Sequence, residues 1–146
     1  MKQDNLKQKS LIAIFVDDHR RIVAMFNDFK DNKFRRSPKI AQILGELMKA
    51  LDRHMHLEES LYGKYREATG TMLPIIQTVR REHGLLRKRL AEMHKALAQG
   101  KDIDVSGFGM LLRRHSNIEE RLLYSELEPV ISAREMDEVY ARIRRW

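Results

Sequence analysis

The 146-residue chain has no cysteine, only three prolines and only seven glycines. The lack of cysteine excludes disulfides, thiolate metal sites, iron–sulfur clusters and cysteine nucleophiles, so nitrogen and oxygen atoms must hold any bound metal. No run of about 18 apolar residues occurs, which is the length that a membrane-spanning helix needs. The apolar stretch 11–16 is too short for the core of a signal peptide and ends at Asp17. We therefore expect a soluble, cytoplasmic protein with no membrane partner.

Basic residues outnumber acidic ones, 28 to 21, which gives a formal net charge of +7 at pH 7. Arginine doublets recur at 20–21, 35–36, 80–81, 113–114 and 144–145. Such an excess is typical either of a nucleic-acid or other acidic partner or of a solvated helical surface. Because the acids are mixed with the bases and aromatic residues make up only 7% of the chain, we expect a solvated surface and no nucleic-acid partner. A basic helical interaction module without metal is kept as an alternative.

Turn-forming residues divide the chain into four long segments and a short fifth one. The breaks lie at residues 31–38, 68–71 and 99–104 and at Pro129. Residues that begin or end helices flank these breaks, at Ser37, Pro38, Pro74, Gly100, Asp104 and Ser132. Within the segments, apolar residues recur at the 4–3 spacing of bundle helices, and strand-like alternation is absent. The sequence predicts one all-α domain over residues 1–146, an up-down-up-down four-helix bundle with a short C-terminal fifth helix.

The spacing also predicts the buried faces of the last two helices. We call the row of side chains on the buried face of a helix its stripe. The stripe of the fourth helix is expected to contain Val105, Phe108, Leu112, His115, Glu119, Leu122 and Glu126. The fifth helix has an apolar side formed by Met136, Val139, Ile143 and Trp146. That side either packs on the end of the bundle or joins two copies of the chain, so a monomer and a homodimer both stay open.

Each of the four stripes is interrupted by a histidine near the middle of its helix, and two stripes carry a glutamate four residues later. These six residues are His19, His54, Glu58, His83, His115 and Glu119. Residues i and i+4 share a helix face about 6 Å apart, so each His-x-x-x-Glu pair points inward together. Since the middles of antiparallel helices lie at one level, the six side chains are expected to converge.

Two buried carboxylates without a positive partner would be costly, and no lysine or arginine lies on the same stripes. A pair of metal cations would balance them, and imidazole with carboxylate suits iron, manganese or zinc. Each glutamate could bridge both ions. The alternative is a metal-free hydrogen-bonded network of histidine and glutamate. We favour metal, because a partly satisfied polar core is worse than an apolar one.

Four sequence features resemble the hemerythrin-like, or HHE cation-binding, family. They are Asp-His at 18–19, His-Met-His-Leu-Glu-Glu at 54–59, Glu-His at 82–83 and His-Ser-Asn-Ile-Glu-Glu at 115–120. The resemblance spans about residues 10 to 128. The spacings are similar, with 64 residues from His19 to His83 and 61 from His54 to His115, which indicates a duplicated helix pair.

The resemblance implies a non-haem, oxo-bridged di-iron centre, with Glu58 and Glu119 as bridges and the four histidines as terminal ligands. Family members carry or sense dioxygen, sense iron, or handle nitric oxide and repair iron centres. The oxygen carriers have another histidine where this chain has Arg87. They also place the last carboxylate where this chain has Glu120, but Glu119 lies on the stripe and is preferred.

The expected function is therefore a di-iron protein, or one with other divalent metals, that binds, senses or carries dioxygen or nitric oxide. The alternative is a di-iron oxidase, a peroxidase or a repair protein, although no nucleophile–base pair or other catalytic residue is identified.

Other polar residues near the stripes have two possible interpretations each. Asp18 and Glu82 are either partners of ligand histidines or exposed acids, and Tyr62 and Tyr124 either pack or donate to bound oxygen. His56 and His94 are expected outside the site.

Overall fold

A computed structural model describes residues 10–144, which form helices joined by short turns, with no strand in this range. The bundle consists of α1 (Leu11–Phe34), α2 (Ile40–Thr69), α3 (Pro74–Ala98) and a fourth stretch. This stretch is made of α4 (Ser106–Ile118), a π-helical turn (Glu119–Leu123) and α5 (Tyr124–Leu127). A 3₁₀ turn (Glu128–Val130) and the helix α6 (Ala133–Arg144) follow. The predicted all-α fold is confirmed.

Local sequence signals set most of the helix ends. The Ser10 hydroxyl caps α1 by accepting a hydrogen bond from the backbone three residues later, at 3.2 Å. Gly70 and Gly100 follow α2 and α3 with φ angles of +72° and +65°, the left-handed region that favours glycine. Pro74 is the first residue of α3, as predicted.

Side-chain caps are present at two of the three predicted positions. Asp104 accepts a hydrogen bond from the backbone two residues later at 3.2 Å, and Ser132 accepts one three residues later at 3.1 Å. The prediction for Ser37 is wrong, because residues 35–39 form turns and α2 begins only at Ile40. The Ser37 hydroxyl instead accepts a hydrogen bond within that turn.

The core consists of two apolar clusters with a polar layer between them. Cluster 1 includes Leu11, Phe15, Leu61, Tyr62, Ile76, Val79, Leu123, Tyr124 and Leu127. Cluster 2 includes Ile22, Phe26, Phe29, Leu44, Leu47, Leu51, Leu86, Leu90, Phe108 and Leu112. Along the chain, α1 and α3 run from cluster 1 to cluster 2, and α2 and the fourth stretch run back. The helices therefore alternate in direction, and the polar layer lies at mid-height on all four.

The π-helical turn shifts the buried face of the fourth stretch by one residue. The prediction that Leu122 and Glu126 lie on the buried stripe is wrong, since both are exposed and Leu122 is 55% accessible. Leu123, Tyr124 and Leu127 are buried in their place. The reason is that a π turn holds one more residue than an α turn, so every side chain after it is rotated relative to the 3.6-residue pattern.

Helix α6 lies along the outside of α1 and α2, not on the end of the bundle. Val139 and Ile143 are buried in cluster 1. The carbonyl of Ile143 accepts a hydrogen bond from Arg21 on α1, and that of Arg142 accepts one from Arg53 on α2. The apolar side of α6 is thus covered within the chain, while Trp146 lies outside the described residues. No helix between residues 10 and 144 is long and apolar enough to cross a membrane.

Candidate metal centre

The structure brings all six predicted site residues together in the polar layer. They are contributed by α1 (His19), α2 (His54 and Glu58), α3 (His83), α4 (His115) and the π turn (Glu119). Each is buried, with at most 5% of its surface accessible. The apolar clusters close the layer above and below, so on the inner side these side chains have one another and the Tyr124 hydroxyl as polar neighbours.

The Nε2 atoms of the four histidines face the two glutamates. His54 Nε2 lies 3.0 Å from Glu58 Oε1, and His115 Nε2 lies 3.0 Å from Glu119 Oε1. His19 Nε2 lies 3.1 Å from Glu119 Oε1, and His83 Nε2 lies 3.3 Å from Glu119 Oε2 and 3.6 Å from Glu58 Oε1.

These atoms fall into two donor groups that overlap. Group A contains one atom each from Glu58, His83, His115 and Glu119, and group B contains one each from His19, His54 and Glu119. All donor atoms within a group lie within 4.8 Å of one another. Glu119 belongs to both groups, which is the position of a bridging carboxylate.

The contacts fit a bound cation better than a hydrogen-bonded network. Three of the buried atoms, His54 Nε2, Glu58 Oε1 and His115 Nε2, make no hydrogen bond to any described residue, although carboxylate or imidazole atoms lie within 3.0 Å. Two donors that each lie about 2.1 Å from one ion, at right angles to each other, are about 3.0 Å apart. The observed spacings are therefore those of ligands around a common centre.

A second set of carboxylates holds the other ring nitrogen of three histidines. Asp18 accepts from His54 Nδ1 at 2.6 Å, Glu82 accepts from His115 Nδ1 at 3.0 Å, and Glu59 accepts from His83 Nδ1 at 3.0 Å. A proton on Nδ1 leaves Nε2 free to bind metal and fixes the ring orientation. Of the two readings left open for Asp18 and Glu82, the partner role is the correct one, since both are buried.

Arginines at the surface pair with these outer carboxylates. Arg21 lies 2.7 Å from Asp18, Arg87 lies 2.8 Å from Glu59, and Arg114 lies 3.3 Å from Glu82. Arg87, the residue at the place of the carriers' additional histidine, thus turns outward to Glu59. By contrast, no lysine or arginine among residues 10–144 lies within 4.0 Å of an oxygen of the inner pair, Glu58 and Glu119. The inner negative charge is left for histidine or a cation to balance.

The pKa shifts reflect this concentration of negative charge. Burial acts to lower the pKa of His83, but the carboxylates of Glu119 and Glu58 outweigh it and raise that pKa to about 9. The pKa of His54 is likewise raised well above its ordinary value, with burial opposed by Glu58 and Asp18. Burial acts to raise the pKa of Glu119, but its contacts with Glu58 and the histidines hold it well below the usual range. Without metal, His83 and His54 take up protons in place of a cation.

The two halves of the chain repeat the same set of contacts. Asp18 supports His54 across α1 and α2 as Glu82 supports His115 across α3 and α4. Glu59 supports His83, and its counterpart Glu120 approaches His19 Nδ1 only to 3.7 Å. Sequence reasoning missed the roles of Glu59 and Glu120. The repeated Glu-Glu doublet at 58–59 and 119–120 was the available signal, since the first member of each faces inward and the second faces a histidine.

Tyr124, for which the sequence left packing and donation to bound oxygen both open, is a further residue of the site. Its hydroxyl donates to Glu58 Oε2 at 2.9 Å, and the oxygen lies 3.2 Å from His19 Nε2. In a regular α-helix a residue five places after Glu119 would point about 140° away from it, and only the π turn brings both to the site. The Phe15 ring stacks on Tyr124 with centroids 5.0 Å apart. His56 and His94 are exposed, as predicted.

Comparison with known proteins agrees with this geometry. The family model described as Hemerythrin HHE cation binding domain matches residues 10–108, about two thirds of the chain. The matched range contains His19, His54, Glu58 and His83, while His115 and Glu119 lie beyond it. No curated protein and no solved structure matches the chain. The chain belongs to the hemerythrin HHE cation-binding domain family.

Proposed function

We propose that this protein holds a non-haem di-iron centre and uses it to bind a small molecule, dioxygen or nitric oxide. The observation that carries the proposal is the pair of overlapping donor groups that share Glu119. In this proposal His83 and His115 hold one ion, His19 and His54 hold the other, and Glu58 and Glu119 lie between them. The iron, when bound, supplies the positions at which the small molecule attaches.

The donor chemistry supports iron. The site offers imidazole and carboxylate and no sulfur, which suits iron, manganese and zinc. Group B, with two histidines and one carboxylate, is the donor set of many non-haem Fe(II) sites that leave positions open for oxygen. Family membership favours a cation at this position, and the proposal extends the family's domain through the fourth helical stretch, where His115 and Glu119 lie.

Burial supports a small ligand. The six side chains have almost no accessible surface, and Phe15, Tyr62 and Tyr124 border them. Two surface cavities, of about 660 and 540 Å³, are lined by other residues. A diatomic molecule can reach such a site through small fluctuations, whereas an organic substrate would require the core to open.

Iron content and the optical spectrum of protein produced in iron-rich medium test the proposal. We expect two irons per chain and an absorption band in the near ultraviolet, both lost in His54→Ala and Glu119→Ala. The matched control is His56→Ala, which removes an exposed histidine two residues away on the same helix. Protein that takes up no iron, even reduced and anaerobic, would contradict the proposal, as would equal loss of iron in the His56 variant.

An oxidase, peroxidase or repair activity is the second candidate. It is distinguished by turnover: a binding protein forms one complex with dioxygen or nitric oxide per di-iron centre, whereas an enzyme consumes many equivalents. Stopped-flow mixing of the reduced protein with excess gas separates the two. More than one equivalent consumed per centre would favour the enzyme.

A further inference from the structure

The two donor groups are unequal, although the chain repeats its helix pair. Group A has four donors from histidine and glutamate, and group B has three. The smaller group is the one that contains His19 and His54. An ion in group B has three donors of its own, and Glu58, whose Oε1 lies 3.0 Å from His54 Nε2, adds a fourth when it lies between the ions, so an octahedral shell around that ion still has open positions.

The hydroxyl of Tyr124 lies beside the donor atoms of group B. Its oxygen is 3.2 Å from His19 Nε2 and 3.4 Å from Glu119 Oε1, and these atoms belong to two of the three residues of group B. It is also 2.9 Å from Glu58 Oε2. These are the same spacings that separate the histidine and glutamate donors from one another, and Tyr124 is fully buried.

A π turn in the fourth helical stretch directs this tyrosine to the site. The π turn Glu119–Leu123 inserts one residue between Glu119 and Tyr124, so both side chains face the same point. π turns are rare and concentrate at functional sites. In the other half, Tyr62 follows Glu58 by four residues on regular α-helix, and its buried hydroxyl has no hydrogen-bond partner within the described range. The two tyrosines are thus equivalent in the repeat but placed differently.

We propose that the phenolic oxygen of Tyr124 is a ligand of the metal ion held by His19 and His54, an inference that rests on the proposed di-iron centre. On binding, the O–H bond breaks, the proton leaves to solvent and a metal–oxygen bond forms, with no change of oxidation state. Glu58 Oε2, which accepts from the hydroxyl in the metal-free arrangement, is then released to face the ions. Phe15, stacked on the phenol ring and edge-on to His54, fixes the ring in place.

The visible spectrum of the ferric protein tests this assignment. A phenolate bound to Fe(III) gives a charge-transfer band in the visible region, which histidine and carboxylate ligands do not give. We expect this band in the parent protein, with phenol ring vibrations enhanced in resonance Raman spectra excited within it. Tyr124→Phe should lose the band, and the control Tyr62→Phe should keep it, while both variants keep two irons per chain.

The iron count separates the failure of this inference from the failure of the proposed function. Two irons per chain without a phenolate band, or with a band that persists in Tyr124→Phe, would overturn the ligand assignment and leave the di-iron centre standing. In that case Tyr124 is only a hydrogen-bond donor to Glu58. Loss of the band in Tyr62→Phe alone would move the ligand to the other tyrosine and also overturn the assignment. Absence of iron from the parent would overturn both proposals.

Discussion

Replacing Asp18 with asparagine should weaken the binding of one of the two metal ions by about 10- to 100-fold. The carboxylate is buried and accepts two short hydrogen bonds, from His54 Nδ1 at 2.6 Å and from Arg21 at 2.7 Å. An asparagine of the same shape has one acceptor oxygen and one NH₂ group, so it cannot accept from both.

Both orientations of the new amide disturb the site. If the amide oxygen faces His54, the NH₂ group of the asparagine faces the Arg21 guanidinium. Both of these groups are hydrogen-bond donors, so they cannot bond to each other. If the NH₂ group faces His54, Nδ1 must become the acceptor, and the proton moves to Nε2, the nitrogen that faces Glu58. The second orientation blocks the metal-binding nitrogen directly. The expected loss corresponds to about 1.4 to 2.8 kcal/mol of binding free energy.

Competition with a chelator of known affinity measures the effect on each ion. Glu82→Gln makes the corresponding change behind His115, so it should weaken the other ion and leave the first tight. Asp17→Asn is the control, because it removes the same charge from an exposed neighbour on α1. Urea unfolding of the metal-free variants identifies any loss that comes from folding. If Asp18→Asn binds both ions as tightly as Asp17→Asn does, the orienting role is refuted.

Four further predictions concern stability. The metal-free protein should become less stable as pH rises. Protonated His83 contributes fully to the free energy of unfolding below the ordinary histidine pKa of 6.5, and this contribution is lost as pH passes its folded-state pKa of about 9. Urea unfolding at the two ends of this range should differ by up to about 3 kcal/mol, and equal midpoints would contradict the shift. Gly63→Ala, with nothing within 4 Å of the added Cβ, should stabilise α2 by about 0.5–1 kcal/mol. Gly109→Ala should be less stable than Gly63→Ala by about 1–3 kcal/mol, because its Cβ would lie 2.9 Å from the buried Phe26 ring; the reverse order in urea unfolding would refute this. Metal at a hundred times its dissociation constant should add about 2.7 kcal/mol to the free energy of unfolding, reversibly with chelator, and a midpoint unaffected by metal would contradict a folded-state site.

The fold followed from the sequence because its signals are local and repeated. Glycine after α2 and α3, proline at the start of α3 and the 4–3 apolar spacing each act within one or two turns of a helix. The level at which the histidines meet was also predictable, since short connections force the middles of antiparallel helices to one height. The start of α2 was misplaced because Ser37 and Pro38 fit a tight turn as well as they fit a helix cap.

The inner and outer layers of the site differed in how far they could be predicted. The inner histidines and glutamates stood out because charged residues rarely lie on a core stripe. The outer carboxylates Asp18, Glu59 and Glu82 lie beside the stripe, where acidic residues are common. The sequence therefore left the roles of Asp18 and Glu82 open and marked Glu59 only as part of a repeated doublet. Only the packing of neighbouring helices shows that each one reaches a histidine on the next helix along.

The sequence by itself determined the four helices, their alternating directions and the meeting of four histidines with Glu58 and Glu119, because helical periodicity and short loops leave few other arrangements. The tertiary structure decided what periodicity cannot express. It placed α6 along α1 and α2, and it introduced the π turn that brings Tyr124 to the site and exposes Leu122. A π turn costs local backbone stability and forms only where packing compensates for it, so contacts distant in sequence, such as those of Tyr124 with Phe15 and Glu58, decide its position.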